Sequence, residues 1–324
     1  MKLMNCAAGA AVIAGAMLSA MGSAVAATPL VSSQWLSAEL ENPDVVVIDL
    51  RNKIDEGSYE LYLEGHIPGA LHSDYLKDGW RVGKDDVVGL LPSEAQFEAL
   101  ARRLGISADS HVVLVPAGVS STDFGTAARA YWTFKVFSHD EVSILDGGYA
   151  GWTSEFPSQI ETGAPVAPET GDFDAVFSRD YYTDVDTISA GLDSEGAPVL
   201  LDARTEGQFY GTDKHPKSAT HGRIPGAVLL SQAQAYDDTA NRLKTKEQLA
   251  EIYGDVNSGP VVSYCNTGHW AATNWFVLAE VLGNKDVKLY DGSMVEWTSE
   301  QALPIETGRS NLDKIKGFFQ KITG

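Results

Sequence analysis

The chain has 324 residues, with 44 acidic against 24 basic side chains and a formal charge of −20. No basic run or basic–aromatic patch offsets that charge, so nucleic acid and anionic membrane surfaces are excluded as expected partners. There are two cysteines, Cys6 and Cys265, and the fate of the first decides what the second can do.

The first 26 residues read as an export signal. Lys2 is a minimal basic start, Ala7 to Met21 is apolar and small, and Ala24-Val25-Ala26 offers a cleavage site. The alternative of a membrane anchor is disfavoured, because the run is short and Ala-rich and nothing later resembles a second span. A lipid anchor at Cys6 lacks the apolar region that should precede it. Cleavage near Ala26 leaves about 298 residues, enough for two domains, and a charge of −21 once Lys2 is lost. A periplasmic or secreted protein would then carry Cys265 as a thiol with no internal disulfide partner.

The remainder is written twice. Val46-Val47-Ile48-Asp49-Leu50-Arg51 returns 153 residues later as Val199-Leu200-Leu201-Asp202-Ala203-Arg204. His66-Ile67-Pro68-Gly69-Ala70 returns as Arg223-Ile224-Pro225-Gly226-Ala227. The capping-box starts Ser93…Gln96 and Thr245…Gln248 correspond, as do Val112–Val115 and Val261–Tyr264. Asp146-Gly147-Gly148 through Trp152 answers to Asp291-Gly292-Ser293 through Trp297. Landmarks in one order at a domain-sized spacing indicate a duplicated domain.

Within each half, continuous apolar runs such as Val45–Leu50 have strand length and suit strands buried on both faces. Phe97, Leu100, Ala101 and Leu104 recur at helical spacing and stop at Gly105. Ala271 to Leu282 is expected to be a second such helix, closed by Gly283. Strand, helix and strand in alternation predict an α/β fold of two tandem domains, each a mostly parallel sheet with helices on both faces. The Pro- and Thr-rich stretch 157–172 reads as a linker between a domain at 27–156 and one at 173–324.

The chemically informative segment is Val261-Val262-Ser263-Tyr264-Cys265-Asn266-Thr267-Gly268-His269-Trp270-Ala271. A buried strand runs into Cys265, a six-residue loop follows, and a helix is expected from Ala271. Ligands of such sheets bind at the carboxyl ends of strands. A tight loop can gather backbone N–H groups around the sulfur, with the helix dipole adding to them, and this favours the thiolate. Gly268 is expected to supply the positive φ that closes the loop. An inert core cysteine is the plain alternative. A cysteine phosphatase would need Arg at position 271, which is Ala, and a thioredoxin-like site would need Cys at 268, which is Gly. A Cys–His hydrolase using His269 stays open on these residues alone.

Both halves resemble rhodanese domains, and together they resemble the tandem-domain thiosulfate and 3-mercaptopyruvate sulfurtransferases. The likeness runs from about Val31 to Gly308, on the Asp-x-Arg step, the Ile-Pro-Gly-Ala turn, the Cys-x-x-Gly loop and the Asp-Gly-Gly/Ser-x-x-x-Trp ending. It implies an inactive N-terminal half and an active C-terminal half, and the loop at Pro116-Ala117-Gly118 indeed has no cysteine. It further implies sulfur transfer through a Cys265 persulfide, with no cofactor or metal, between small donors and thiophilic acceptors. Asn266, Thr267, Gly268, His269, Trp270 and Ala271 would bind substrate, joined by Arg204, for which a structural ion pair is the competing role. Such a module could instead carry sulfur for a partner protein and turn over small donors poorly; a pure interaction domain fits the retained cysteine badly.

The chain departs from that family in charge. Thiosulfate users often place Arg or Lys within the active loop, whereas here only His269 could become cationic. Mercaptopyruvate users tend to carry a second Arg four positions beyond Arg204, and residue 208 is Gln. Lys214, His215 and Lys217 are expected near the cleft, as donors of charge or as a solvated surface loop. Trp270 is expected to wall the pocket, Trp275 to join the core, and Asp202, Gly226 and Trp297 to serve the fold.

Overall fold

The computed structural model describes residues 27–308 apart from Asp193 and Gln301, so the expected export signal lies outside the described residues. In the first half the strands are β1 (Leu30–Val31), β2 (Val45–Asp49), β3 (Leu71–His72), β4 (Val82–Lys84), β5 (Val87–Leu90), β6 (His111–Val115) and β7 (Val142–Leu145). The second half has β8 (Tyr182–Thr183), β9 (Val199–Asp202), β10 (Val228–Leu229), β11 (Tyr236–Asp237), β12 (Arg242–Leu243), β13 (Val261–Tyr264) and β14 (Val287–Tyr290). Two five-stranded sheets result, β1-β7-β6-β2-β3 and β10-β9-β13-β14-β8. Every pairing in them is parallel, and the two orders are the same topology. β13 is central and buried along its whole length, and its one short polar side chain, Ser263, is satisfied by Ala271 O. β4–β5 and β11–β12 are separate antiparallel hairpins.

Both expected capping boxes form, starting helices Glu94–Arg103 and Lys246–Tyr253. Helix Ser121–Val136 of the first half packs along helix His269–Phe276 of the second. Phe276 meets Phe124 at 5.7 Å and Tyr131 at 5.0 Å, both edge to face. A single apolar cluster therefore spans the two halves, and the domains are welded along the faces that carry their loops. The expected Ala271–Leu282 helix begins two residues earlier and continues past Phe276 as a π-helical stretch, Val277–Val281.

The domain boundary differs from the expected residue 173. The Gly171 N–H bonds Arg102 O, a Cβ at Gly171 would lie 1.9 Å from Ile106 O, and the Phe173 N–H bonds Ile106 O. Phe173 is 1% exposed and packs edge-on against Phe97 and Phe134 of the first half. Ser178 still bonds Val136 O. The chain leaves the first half only at about β8, because an aromatic plug in the polar stretch completes the first core. The expected linker also begins inside the first repeat: Glu161 bridges to His66, as Glu306 bridges to Arg223 in the second. Among the described residues no helix is long and apolar enough to cross a membrane.

Candidate active site

The β13 strand delivers Cys265 to the carboxyl edge of its sheet, and the following helix starts at His269. The loop is thus Cys265–Gly268, shorter than the six residues expected. Gly268 adopts φ +71, and a Cβ there would fall 2.1 Å from Arg129 Nη1 and 2.9 Å from Asp291 O, so no other residue fits without displacement.

Ser293 braces this loop from behind. Its Oγ accepts from the amides of Cys265 (3.0 Å) and Gly268 (3.2 Å) and donates to Tyr290 O (2.7 Å). Ser293 holds φ +50, a left-handed conformation that a non-glycine residue adopts at a cost of about 1–2 kcal/mol. The expectation that the loop amides gather on the sulfur is corrected here: two of them face Ser293, and no hydrogen bond to Cys265 Sγ forms among the described residues. The amides of Asn266, Thr267, His269 and Trp270 donate to no protein group among the described residues. At a helix start, open N–H groups of this kind are free to bind an anion.

Cys265 is 2% exposed and borders a cleft of about 210 Å³ between the two halves. Ile54, Arg81 and Thr122 come from the first half; Gln208, His215, Cys265, Asn266, Thr267, His269 and Trp270 come from the second. Asn266, Thr267, His269 and Trp270 are thus brought together as expected. Asn266 Nδ2 donates to Gln208 Oε1 at 2.9 Å, and Trp270 Nε1 to Thr122 Oγ1 at 3.2 Å. Gly268 and Ala271 back the loop without lining the cleft; Ala271 is fully buried and its carbonyl accepts from Ser263 Oγ.

Two expected charge donors are corrected. Arg204 does not line the cleft: its Nε and Nη2 clasp the Asp202 carboxylate, and Nη2 also bonds Gly222 O at 2.9 Å. Arg51 makes the same clasp on Asp49, with Gly65 O at 2.8 Å, in the half that has no cysteine. A role performed identically in both halves belongs to the frame. His269 borders the cleft but is not cationic. Tyr75 Oη meets its Nδ1 at 2.9 Å and Thr122 O its Nε2 at 2.8 Å, so the neutral ring accepts from the phenol and donates to the carbonyl. Burial, with Arg81 and Arg129 nearby, pushes its pKa down to about 3. Gly125 leaves room for the ring, since a Cβ there would stand 3.0 Å from Nε2.

Lys214 turns its ammonium to Ser218 O, Lys217 is exposed, and His215 alone of that trio reaches the cleft. Burial and the two neighbouring lysines lower the His215 pKa. Trp275 is fully buried, as expected. The residues missed from sequence are Arg81, Tyr75, Thr122 and Arg129 of the first half, and Ser293 and Gln208 of the second. Arg129 is fully buried behind the loop, with Nη2 on Gly89 O (3.1 Å) and Asp291 Oδ2 (3.4 Å). Burial lowers its pKa, and the opposing Asp291 charge resists that. The first half carries no nucleophile yet lends side chains to the cleft. Ser293 had a visible signal, standing where the first repeat has Gly148. No cluster of potential metal ligands occurs among the described residues.

The model of the rhodanese-like domain matches residues 32–155 and again 184–300. The thiosulfate sulfurtransferase of Corynebacterium glutamicum is 33% identical over 300 residues, covering 88% of this chain and 93% of that protein. The sulfur carrier protein TtuD of Thermus thermophilus is 33% identical over 297 residues, 86% of this chain and 96% of that protein. The crystal structure of SseA from Escherichia coli, described as a 3-mercaptopyruvate sulfotransferase, superimposes with a TM-score of 0.68 at 28% identity, covering 82% of this chain and 99% of that one. One topology used twice, one cysteine loop between the halves, and likenesses that span both repeats place this chain in the rhodanese family of sulfurtransferases, as a two-domain member.

Proposed function

We propose that the protein moves sulfane sulfur from thiosulfate or a related donor to a thiophilic acceptor through a persulfide on Cys265. The observation that carries this reading is the set of unpartnered loop amides at Asn266, Thr267, His269 and Trp270 beside the cysteine. The Cys265 thiolate attacks the outer sulfur of thiosulfate, the S–S bond of the donor breaks, and sulfite leaves with the electron pair. The negative charge now sits on the terminal persulfide sulfur, and open amides are suited to hold it without reorganisation. An acceptor such as cyanide or a thiol then attacks that sulfur and regenerates the thiolate. Gln208 at the position where mercaptopyruvate users tend to carry Arg supports thiosulfate over mercaptopyruvate.

Sulfite release from thiosulfate in the presence of cyanide tests the proposal, and a rate no better than that of Cys265→Ser discards it for this donor. A second reading, a sulfur carrier serving a partner protein, draws support from the 33% identity to TtuD and from a cysteine loop without Arg or Lys. It is favoured if Cys265 acquires one sulfur atom by mass yet cyanide turnover stays negligible. We further propose export to the periplasm or beyond, with removal of residues 1–26; the mass of the mature protein recovered from an expressing cell checks this.

A further inference from the structure

We propose that Arg81, carried by the half without the cysteine, holds the anionic body of the sulfur donor and makes the site selective for donors with a second negative group. The inference rests on the persulfide reading above. Arg81 lines the Cys265 cleft and lays its guanidinium over the Tyr75 ring, 4.7 Å from the centroid. Tyr75 is itself fixed by its hydroxyl on His269. Among the described residues Arg81 has no ion-pair partner, and its Nε is buried without a hydrogen bond. A buried guanidinium N–H without an acceptor is costly to keep, because the donor forfeits water without recompense. The neighbouring Arg and Lys side chains do not open onto the cleft: Arg204 clasps Asp202, Arg129 pairs with Asp291 behind the loop, and Lys214 turns to Ser218 O. The guanidinium fork matches the oxygens of a sulfonate or carboxylate in two parallel bonds. With thiosulfate the step balances as thiolate plus thiosulfate giving persulfide anion plus sulfite, with no proton transferred. Arg81 would hold the oxygens of the departing sulfite throughout.

The test loads Cys265 from two donors in the full-length protein, read by intact mass against time. One is thiosulfate; the other is 2-hydroxyethyl hydrodisulfide, whose only ionisable group is the reacting sulfur function. Arg81→Gln is expected to raise KM for thiosulfate by about 10-fold or more, as loss of a charge-assisted bidentate contact implies. The sulfite inhibition constant should rise in parallel, and loading from the hydrodisulfide should change less than about twofold. Arg81→Lys, keeping charge but losing the fork, should fall between. Equal loss with both donors would make Arg81 structural, and an unchanged KM for thiosulfate would remove it from donor binding; either overturns the inference alone. Failure of the wild type to take sulfur on Cys265 from either donor would instead overturn the persulfide reading on which it depends.

Discussion

The loop after β6 and the loop after β13 leave equivalent positions of equivalent sheets and run into paired helices, yet they are filled in opposite ways. After β6 the Asp123 carboxylate takes the amides of Ala117 (2.9 Å), Gly118 (2.6 Å) and Val119 (3.1 Å). Asp123 is the third residue of its helix; the third residue of the helix after β13 is Ala271, which has nothing to offer an amide. One loop supplies its own anion, and the other leaves its amides open beside a thiol. Open loop amides are therefore a property of the repeat, and one side-chain change, Asp123 against Ala271, decides whether they are occupied from within. The halves also trade supports. The β4–β5 hairpin ends on the second half, with the Leu91 amide on Asp291 Oδ2 at 2.6 Å, while Arg242 of the β11–β12 hairpin reaches Asp146 at 3.6 Å.

The comparison breaks most visibly at the nucleophile. Cys265→Ser should lose sulfur transfer by about 10³-fold or more, since removal of a nucleophile removes the covalent route. Pro116→Cys, made in that background, puts a thiol at the equivalent point of the first loop. It should remain unloaded by thiosulfate, because Asp123 already occupies the amides; loading at a rate near that of Cys265 would show that their occupation does not matter. Next in size is the carboxylate itself. Asp123→Ala leaves three loop amides without their acceptor and should cost about 3 kcal/mol of stability, read as a lowered urea midpoint. Asp123→Asn, which keeps one acceptor oxygen, should lose less.

Much of this was legible in the sequence, and the reasons differ by residue. β13 and Cys265 could be placed because a mostly apolar run of strand length set just before a helical stretch reads as a buried strand, and ligands of parallel sheets bind at the carboxyl ends of strands. The twofold topology followed from ordered landmarks. The tail of each repeat also carries a signal, since Glu161-Thr162-Gly163 recurs as Glu306-Thr307-Gly308, and in both copies the glutamate ties the tail to the Ile-Pro-Gly turn. Phe173 was hidden in a polar stretch whose composition says loop; one aromatic ring against Phe97 outweighs it. Arg81 could not be assigned to the cleft, nor Arg129 to the back of the cysteine loop, from a single half, because their places depend on docking between halves, which periodicity does not encode. The state of His269 is hidden for the same reason: its neutrality is imposed by Tyr75 and Thr122, 194 and 147 residues away.

Ser293 sharpens the comparison at smaller scale, since the first repeat has Gly148 at φ +57 in its place. Ser293→Gly relieves the left-handed strain while removing the acceptor shared by Cys265 and Gly268. The two effects oppose one another in stability, so the urea midpoint should move by less than about 1 kcal/mol equivalent. The loop loses its brace, however, and kcat should fall about 5- to 10-fold. A large loss of stability with unchanged kcat would assign the hydroxyl to folding alone.

The smallest effects are titrations, and they too differ between the halves. Asp55 lies against Asp123 in the first half, where burial and that second carboxyl raise its pKa from 3.8 to about 7. The folded state therefore holds this proton after the unfolded chain has released it. The stability it confers is full below about pH 4 and disappears as pH rises through 7. His269 is the reverse case: lowered from 6.5 to about 3, it confers stability that is full above about pH 6.5 and is lost as pH falls toward 3. Across pH 4.5–6.5 the two slopes have opposite sign and mask one another. Asp55→Asn should remove the falling branch, so its stability relative to wild type rises with pH. His269→Gln should remove the rising branch, so its stability relative to wild type falls with pH. Urea midpoints at four or more pH values measure both, and a His269→Gln difference that stayed level across this window would mean that the imidazole is protonated in the fold, restoring it as a source of positive charge beside Cys265.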